Sequence, residues 1–308
     1  MGEALALVVN PRAGAGAARR RRSALEAALR TAGFAPEARV TEGPGHATEL
    51  VRDALAAGAK GVAVVGGDGT LNEAVNAFFD DAGQPVATGA WLAPLAVGTG
   101  GDFGRTLGRV GMVPMVERLR DAAPRPIDAG WMTATGHDGS PVGRAFLNVA
   151  SFGLGGRVDR LVAGAPKVLG GRVAFFVASL GALLTYRRQP VRLTADDRPP
   201  RDARIQNLAV ANGRFFGGGM EVAPRARLDD GLLDVVGLEM PAAARVALAP
   251  ALYRGRHLER GGVTFVRARR LLAEPLTDEP VLIDLDGEMP GRLPATFEVR
   301  PAALHLRG

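Results

Sequence analysis

A chain of 308 residues is long for one average core and short for three, so two domains are expected. With 47% apolar and 23% charged residues it is not a disordered chain, and the absence of cysteine excludes disulfides and thiolate zinc sites. Its net charge of +6 suits an enzyme that visits anionic phosphates or anionic lipid surfaces, although basic residues that are arginine everywhere except Lys60 and Lys167 fit a base-composition bias equally well.

The opening MGEALALVVNPRAG has no basic leader before its short apolar run, so a cytoplasmic protein is expected. Ala4 to Val9 reads as a strand leading into the turn Asn10-Pro11-Arg12-Ala13-Gly14-Ala15-Gly16. A helix follows with Leu25, Ala28, Leu29 and Ala32 on one face, and its basic run Arg19 to Arg22 reads as a solvated surface. Gly61 to Val65 leads into Gly66-Gly67-Asp68-Gly69-Thr70 and a helix from about Leu71 to Phe79. Leu92 to Val97 leads into Gly98-Thr99-Gly100-Gly101-Asp102 and a short helix ending near Leu107. Three strand-turn-helix units in series predict a parallel α/β layer with its turns at one sheet edge.

Past Pro124-Arg125-Pro126 the pattern changes, which places a domain boundary near residue 125. Runs at Arg144 to Ala150, Val191 to Ala195, Ile205 to Ala211 and Leu232 to Leu238, separated by Gly, Asp and Pro, predict antiparallel strands. Helices are expected at 168–186 and from Ala242 to Tyr253. The first lies within the apolar stretch Lys167 to Tyr186, followed by Arg187 and Arg188, which reads as a core helix before it reads as a membrane-lying one. Its longest apolar run, Val173 to Tyr186, falls short of the roughly 20 residues a membrane span needs. Phe215-Phe216-Gly217-Gly218-Gly219 suggests a mobile loop, and His46 and His257 suggest no role.

Chemistry concentrates at Gly66-Gly67-Asp68-Gly69-Thr70. Glycines between a buried strand and a helix start let backbone N–H groups approach phosphate oxygens. Thr70 with Glu73 also fits a capping box, so part of the pattern is explicable as helix initiation. Asp68 is unfavourable inside an anion-binding turn unless a cation offsets it, and so is expected near Mg²⁺. Neither common nucleotide fingerprint is met. Gly14 and Gly16 are followed by Arg19, Gly98 and Gly100 by Phe103, and no G-x-x-x-x-G-K-[ST] is present. Asp286-Gly287-Glu288 alone reads as a glycine turn with a solvated glutamate.

GGDGTLNEAVNA at Gly66 to Ala77 resembles the signature of the diacylglycerol kinase catalytic domain, shared with sphingosine kinases and bacterial lipid kinases. Asn10-Pro11 with Gly14, GTGGDF at Gly98 to Phe103, Phe146-Leu147-Asn148 before Gly153, LDDGLLD at Leu228 to Asp234 and Asp286-Gly287-Glu288 follow in family order. The resemblance covers essentially the whole chain. It implies an N-terminal three-layer α/β domain like that of NAD kinase and phosphofructokinase over 1–125, and a mainly-β sandwich domain over 126–290. A segment at 291–308 returns to the first domain, and the active-site cleft lies between the domains.

By position, ATP is expected on Asn10, Thr41, Gly66, Gly67, Asp68, Gly69, Thr70, Leu71, Asn72, Thr99 and Asp102, and a structural Mg²⁺ on Asp230 with the carbonyls of Arg227 and Leu232. Glu288 is the expected general base, with Asp68 and Asp286 completing the catalytic set. The reaction implied is transfer of the γ-phosphate of ATP to a lipid hydroxyl by a protein that contacts the membrane peripherally at its inner face, with no nucleic-acid partner. Diacylglycerol is the favoured acceptor over phosphatidylglycerol, a sphingoid base or ceramide. The rivals are a soluble-metabolite kinase of the NAD kinase or phosphofructokinase type and an inactive nucleotide- or lipid-binding regulator. One position departs from the family pattern: Gly101 stands where an asparagine usually precedes the aspartate, so a side-chain amide is missing.

Overall fold

The computed structural model describes residues 2–87, 89–96, 101–108, 112–153, 188–240 and 242–308. Thr99 and the helix expected at 168–186 lie outside them. The chain forms two compact units, one of Met1–Ala129, Leu228–Asp230 and Arg300–Gly308, the other of Gly130–Arg227 and Gly231–Val299.

The first unit is built on parallel strands. Strand β1 (Glu3–Val9) is followed by α1 (Ala13–Thr31), β2 (Phe34–Val40), α2 (His46–Ala56), β3 (Gly61–Gly66), α3 (Asp68–Asn76), β4 (Trp91–Ala96), α4 (Asp102–Thr106) and α5 (Met112–Asp121). The strand order is β2-β1-β3-β4. Leu5, Leu7, Val9, Ala63, Val65 and Leu95 pack on Ala18, Leu25, Leu29 and Leu119 of the helices. Burying each leucine contributes about 1.5–3 kcal/mol. Arg19 to Arg22 are exposed on the other face of α1. Helix α1 stops where Gly33, at φ 94°, donates its N–H to Arg30 O, a left-handed cap that glycine adopts without a Cβ penalty. Helix α3 begins at Asp68, earlier than the expected Leu71, and ends at Asn76.

Two later segments complete this unit. Residues His305 and Leu306 run parallel to β4 at Trp91 and Leu92. Arg307 lies over the rings of Phe34 and Trp91 at 5.2 and 4.9 Å, and its guanidinium donates to both Glu3 carboxylate oxygens at 2.9 Å and to Ala122 O at 3.0 Å. Buried Asp128 holds both segments, donating its N–H to Leu228 O (2.6 Å) and accepting at Oδ1 from Ala302 N–H (2.8 Å).

The second unit is mainly antiparallel β. It contains β5 (Arg125–Thr135, entering from the first unit), β6 (Pro141–Phe146), β7 (Val149–Gly153), β8 (Gln189–Ala195), β9 (Arg201–Ile205), β10 (Asn207–Ala211), β11 (Leu233–Leu238), α6 (Ala242–Leu252), β12 (Val263–Ala268), β13 (Arg270–Pro275), β14 (Leu282–Leu285) and β15 (Glu288–Leu306). One strand series runs β12-β11-β10-β7-β14-β15; a second runs from β15 through β13 and β8 to β9. Val210, Val235, Ile283 and Leu285 from the first series share a core with Val191, Ile205, Leu271 and Ala273 from the second. Phe152 and Phe297 stack within that core at 5.7 Å. This is the expected sandwich.

Two of the expected strands are each broken in two. The run Arg144 to Ala150 divides at Leu147-Asn148, where the backbone N–H groups leave the ladder for the Asp286 carboxylate. The run Ile205 to Ala211 divides at Gln206, whose N–H goes to Leu238 O. The glycine loop at 217–219 is closed at its base. Phe216 and Met220 exchange both backbone hydrogen bonds at 3.0 Å around three glycines at positive φ.

His257 is fully buried, with Nε2 2.9 Å from Val222 O. A carbonyl only accepts, so Nε2 carries the proton, and Nδ1 has no partner among the described residues. Burial pushes the imidazole below its ordinary value of about 6.5. The unfolded chain therefore takes up a proton that the folded chain refuses as pH drops through that value. Stability should be fully present above about pH 6.5 and fall below it, by up to about 1.4 kcal/mol per pH unit. Urea midpoints at pH 7.5 and 5.5 should show this decline in the parent chain, and a smaller one in His257→Gln.

Candidate functional site

In the first unit the sequence-predicted residues gather at the carboxyl ends of β2, β1 and β3. The chain goes from β1 to β2 on one side and then to β3 on the other, so the strand order reverses between β1 and β3. In open α/β sheets ligands bind outside such a reversal. Thr41 follows β2 and donates its N–H to Val9 O (2.9 Å); Asn10 follows β1 and donates its N–H to Val65 O (2.9 Å). The Asn10 amide donates through Nδ2 to Thr70 Oγ1 at 2.8 Å, and its Oδ1 accepts from Arg12 N–H at 3.0 Å. Asn10 thus ties the end of β1 to the first turn of α3.

The start of α3 is bare. Gly67 is its N-cap in an extended conformation, without a side-chain cap. Leu71 donates the first N–H back into the helix, to Gly67 O at 3.0 Å. By helix geometry the N–H groups of the preceding four residues have no acceptor inside α3, and they sit at the positive end of its dipole.

The three glycines differ in what surrounds them. A Cβ on Gly66 would stand 2.5 Å from the Thr70 Cβ, so this glycine lets the helix pack onto the strand end. Among the described residues a Cβ on Gly67 or Gly69 would meet nothing within 4 Å, so there the backbone borders space that they leave open. Leu71 and Asn72 stand apart from the set. Both are buried, and the Asn72 Oδ1 accepts from Asn76 Nδ2 at 3.1 Å.

The capping-box reading of Thr70 and Glu73 is corrected. Thr70 lies inside α3 with its hydroxyl accepting from Asn10, and the Glu73 carboxylate accepts the Ala47 N–H at 3.1 Å. Glu73 therefore caps α2, whose own N-cap, Gly45, has no side chain to do so.

The charge of Asp68 is met by backbone amides, so it does not by itself require a cation. Its Oδ2 accepts from Asp102 N–H (2.7 Å) and its Oδ1 from Phe103 N–H (3.2 Å), so the first amides of α4 meet its charge. Each oxygen keeps a further lone pair, so the carboxylate still fits a divalent cation or its water ligands. Asp102 is buried and pairs with Arg105, three residues on. Arg105 was missed in the sequence, where the i, i+3 spacing of opposite charges was the available signal. The Asp68 carboxylate lies against Gly101, within the reach of a Cβ placed there.

In the second unit, Asp286 (φ 50°) and Gly287 (φ 91°) are the central pair of a two-residue hairpin turn, with Leu285 facing Glu288 across it. Positive φ at both positions is the type I′ requirement that Asp-Gly satisfies. The Asp286 carboxylate accepts three backbone N–H groups, from Leu147 (3.0 Å), Asn148 (3.2 Å) and Val149 (3.0 Å). Its own N–H goes to Val149 O (3.1 Å), while Gly287 N–H goes to Asp284 Oδ1 (2.9 Å). With both oxygens turned to backbone amides, Asp286 anchors the hairpin. Glu288, the first residue of β15, is exposed. His137, also missed in the sequence, braces the next residue through Nε2 to Met289 O at 2.9 Å.

Arg227, Asp230 and Leu232 lie on one turn, reversed at Gly231 (φ 67°). Half-buried Asp230 and two main-chain carbonyls are hard oxygen donors, the type that Mg²⁺ accepts alongside water. Among the described residues no group of three or more His, Cys, Asp or Glu gathers around a metal position.

Comparison with known proteins agrees with this layout. Residues 4–132 match the model of the diacylglycerol kinase catalytic domain, and residues 148–308 match that of the YegS C-terminal NAD kinase beta sandwich-like domain. A Pseudomonas aeruginosa protein named "Probable lipid kinase YegS-like" is 36% identical over 282 residues, covering 91% of this chain and 87% of that one. A Bacillus subtilis protein named "Diacylglycerol kinase" is 28% identical over 272 residues, covering 86% and 83%. A crystal structure of a diacylglycerol kinase from Bacillus anthracis superposes with a TM-score of 0.70 at 22% identity, covering 99% of this chain and 96% of that one, a likeness of fold.

Proposed function

The chain belongs to the diacylglycerol kinase catalytic-domain family and is a lipid kinase, and on that premise we propose that it transfers the γ-phosphoryl group of Mg·ATP to the hydroxyl of a membrane lipid, diacylglycerol before phosphatidylglycerol, sphingoid bases or ceramide. The observation that carries this reading is the bare start of α3 at the strand-order reversal, with space over Gly67 and Gly69 that the described residues leave open. Backbone N–H groups there bind the phosphate oxygens and stabilise the charge that develops on them. Asn10 fixes the turn by its bond to Thr70.

In the reaction the lipid oxygen forms a bond to the γ-phosphorus while the bond to the β,γ-bridging oxygen breaks. ADP leaves with that electron pair, and Glu288 takes the hydroxyl proton. The Glu288 carboxylate is exposed and follows a turn that Asp286 anchors through three backbone N–H groups. Mg²⁺ would be held by Asp68 on the nucleotide side, where it would supply neutralising charge for the phosphates, and a structural Mg²⁺ by Asp230 with the Arg227 and Leu232 carbonyls on the turn.

Among the described residues no helix is long and apolar enough to cross a membrane. The proposed enzyme meets its lipid by peripheral contact with the membrane surface.

The test is transfer of radiolabelled γ-phosphate from Mg·ATP to a lipid panel in mixed micelles, with NAD as a soluble acceptor. Label in a lipid is the expected result and identifies the acceptor. Label in NAD alone would make the protein a soluble-metabolite kinase, and ATP binding without any transfer would make it a regulator.

A further inference from the structure

We propose that His46 is a positioning residue for the nucleotide site, because its imidazole holds the loop between β2 and α2 in the shape that presents Thr41. The functional half of this inference rests on the kinase reading, and the structural half on the fold alone. Glu42 donates its N–H to His46 Nδ1 at 3.0 Å. That nitrogen accepts only without a proton, so the ring is neutral with its proton on Nε2. His46 is the first residue of α2, and its side chain reaches back across the loop to the residue that follows Thr41.

The loop itself supplies little that would keep it in place. Residues 42–45 are Glu, Gly, Pro and Gly, with Gly45 at φ 82°. Among the described residues a Cβ on Gly43 or Gly45 would meet nothing within 4 Å. Two glycines give the free chain many shapes, so a single shape needs a tie across the loop. The His46 N–H reaches Gly43 O only at 3.4 Å, longer than a good amide hydrogen bond. The imidazole is the stronger tie.

Both ends of the tie are anchored in the parts assigned to the nucleotide. Thr41 is buried and donates its N–H to Val9 O, so with Glu42 N–H on the ring its backbone is held on both sides of its Cα. Without the ring only the first bond remains, and Thr41 is free to turn about ψ. On the other side, the first turn of α2 rests on α3. The Glu73 carboxylate accepts the Ala47 N–H at 3.1 Å, and the Thr48 hydroxyl donates to Glu73 O at 2.8 Å. Glu73 lies one turn beyond Thr70 on the helix whose bare start is assigned to the phosphates. The ring thus extends the hold of α3 on α2 as far as Thr41. A group fixed before its ligand arrives costs the ligand less to bind, so loss of the ring should weaken Mg·ATP and leave the transfer step alone.

The experiment compares His46→Ala, His46→Asn and His46→Gln on the full chain. The readings are Kd and KM for Mg·ATP, kcat, KM for the lipid, and hydrogen exchange at the Glu42 amide by NMR. Asparagine places an acceptor oxygen as many bonds from Cα as Nδ1, and glutamine places an amide nitrogen as far out as Nε2. His46→Ala should raise Kd and KM for Mg·ATP by about 2- to 10-fold, the effect of one hydrogen bond, with kcat and the lipid KM within about twofold of the parent. The Glu42 amide should exchange faster in that variant. His46→Asn should bring both readings back toward the parent.

Unchanged exchange at Glu42 in His46→Ala would overturn the contact. Faster exchange with parent affinity for Mg·ATP would overturn the functional half. Affinity restored by His46→Gln and not by His46→Asn would overturn positioning through the loop, since the ring would then act through Nε2. If the parent chain neither binds Mg·ATP nor labels any lipid, the kinase reading falls and the functional half with it, and exchange at Glu42 still decides the contact.

Discussion

A Glu288→Gln variant is expected to lose about 10²–10⁴-fold in kcat while keeping its fold and its affinity for Mg·ATP. The amide has nearly the volume of the carboxylate and cannot take the proton of the attacking hydroxyl. Glu288 is exposed at the start of β15, and the turn before it is held by Asp286 and Asp284. Removing the Glu288 charge therefore leaves the bonds made by Asp286 and Asp284 in place. Phosphoryl transfer in mixed micelles, ATP titration and a thermal melt together check the result. A variant that melts with the parent and keeps parent activity would remove Glu288 from the mechanism. Asp286→Asn offers the contrast, since it weakens three bonds to backbone N–H groups and should shift the melt as well as the rate.

The second large effect is expected at α3, where neighbouring glycines should respond in opposite ways. Gly69→Ala places a methyl group where no described residue lies within 4 Å, and alanine is the better helix former by up to about 1 kcal/mol. The protein should be as stable as the parent or more so. The same methyl group enters the space assigned to the phosphates, and a displacement of about 1 Å at a reacting group costs on the order of 10²-fold in rate. Gly66→Ala, by contrast, drives a Cβ to within 2.5 Å of the Thr70 Cβ. It should destabilise by about 1–3 kcal/mol and weaken the Asn10 to Thr70 bond along with the fold. Urea midpoints and kcat/KM for both variants separate glycine kept for packing from glycine kept for a ligand. A stable and fully active Gly69→Ala protein would remove the phosphate assignment from this turn.

The order of elements, α/β first and mainly β after, is legible because each carries its own period. Buried runs such as Val62 to Val65 end in glycine, and helix faces repeat as Ala18, Leu25 and Leu29 do. Strand β2 carries no such signal. It contains Pro36 and alternates poorly, with Phe34 its one buried residue. The turn residues Gly66 to Thr70 and Asp286 to Glu288 stand out by type, but what each side chain does is set by partners remote in sequence. Thr70 meets Asn10, Glu73 meets Ala47, Asp68 meets Asp102, and Leu147 meets Asp286. Local spacing suggested a capping box at Thr70 and an unbroken strand through Asn148, and in both places a distant acceptor or donor took the hydrogen bond instead. Asp128, which holds two late segments onto the first unit, carries no local mark at all.

The pairing of His305 and Leu306 with β4 has a consequence for the order of synthesis. Chains leave the ribosome from the amino end at about 5–20 residues per second, and early domains usually close before later ones emerge. Here the first unit draws on Arg300–Gly308, so its sheet waits for the segment between Ala129 and Arg300, on the order of 10–30 s. During that interval the edge of β4 is unpaired, and an unpaired edge is a template for wrong partners. The nascent chain is most exposed to chaperones and to aggregation in the unit that begins first and is sealed last.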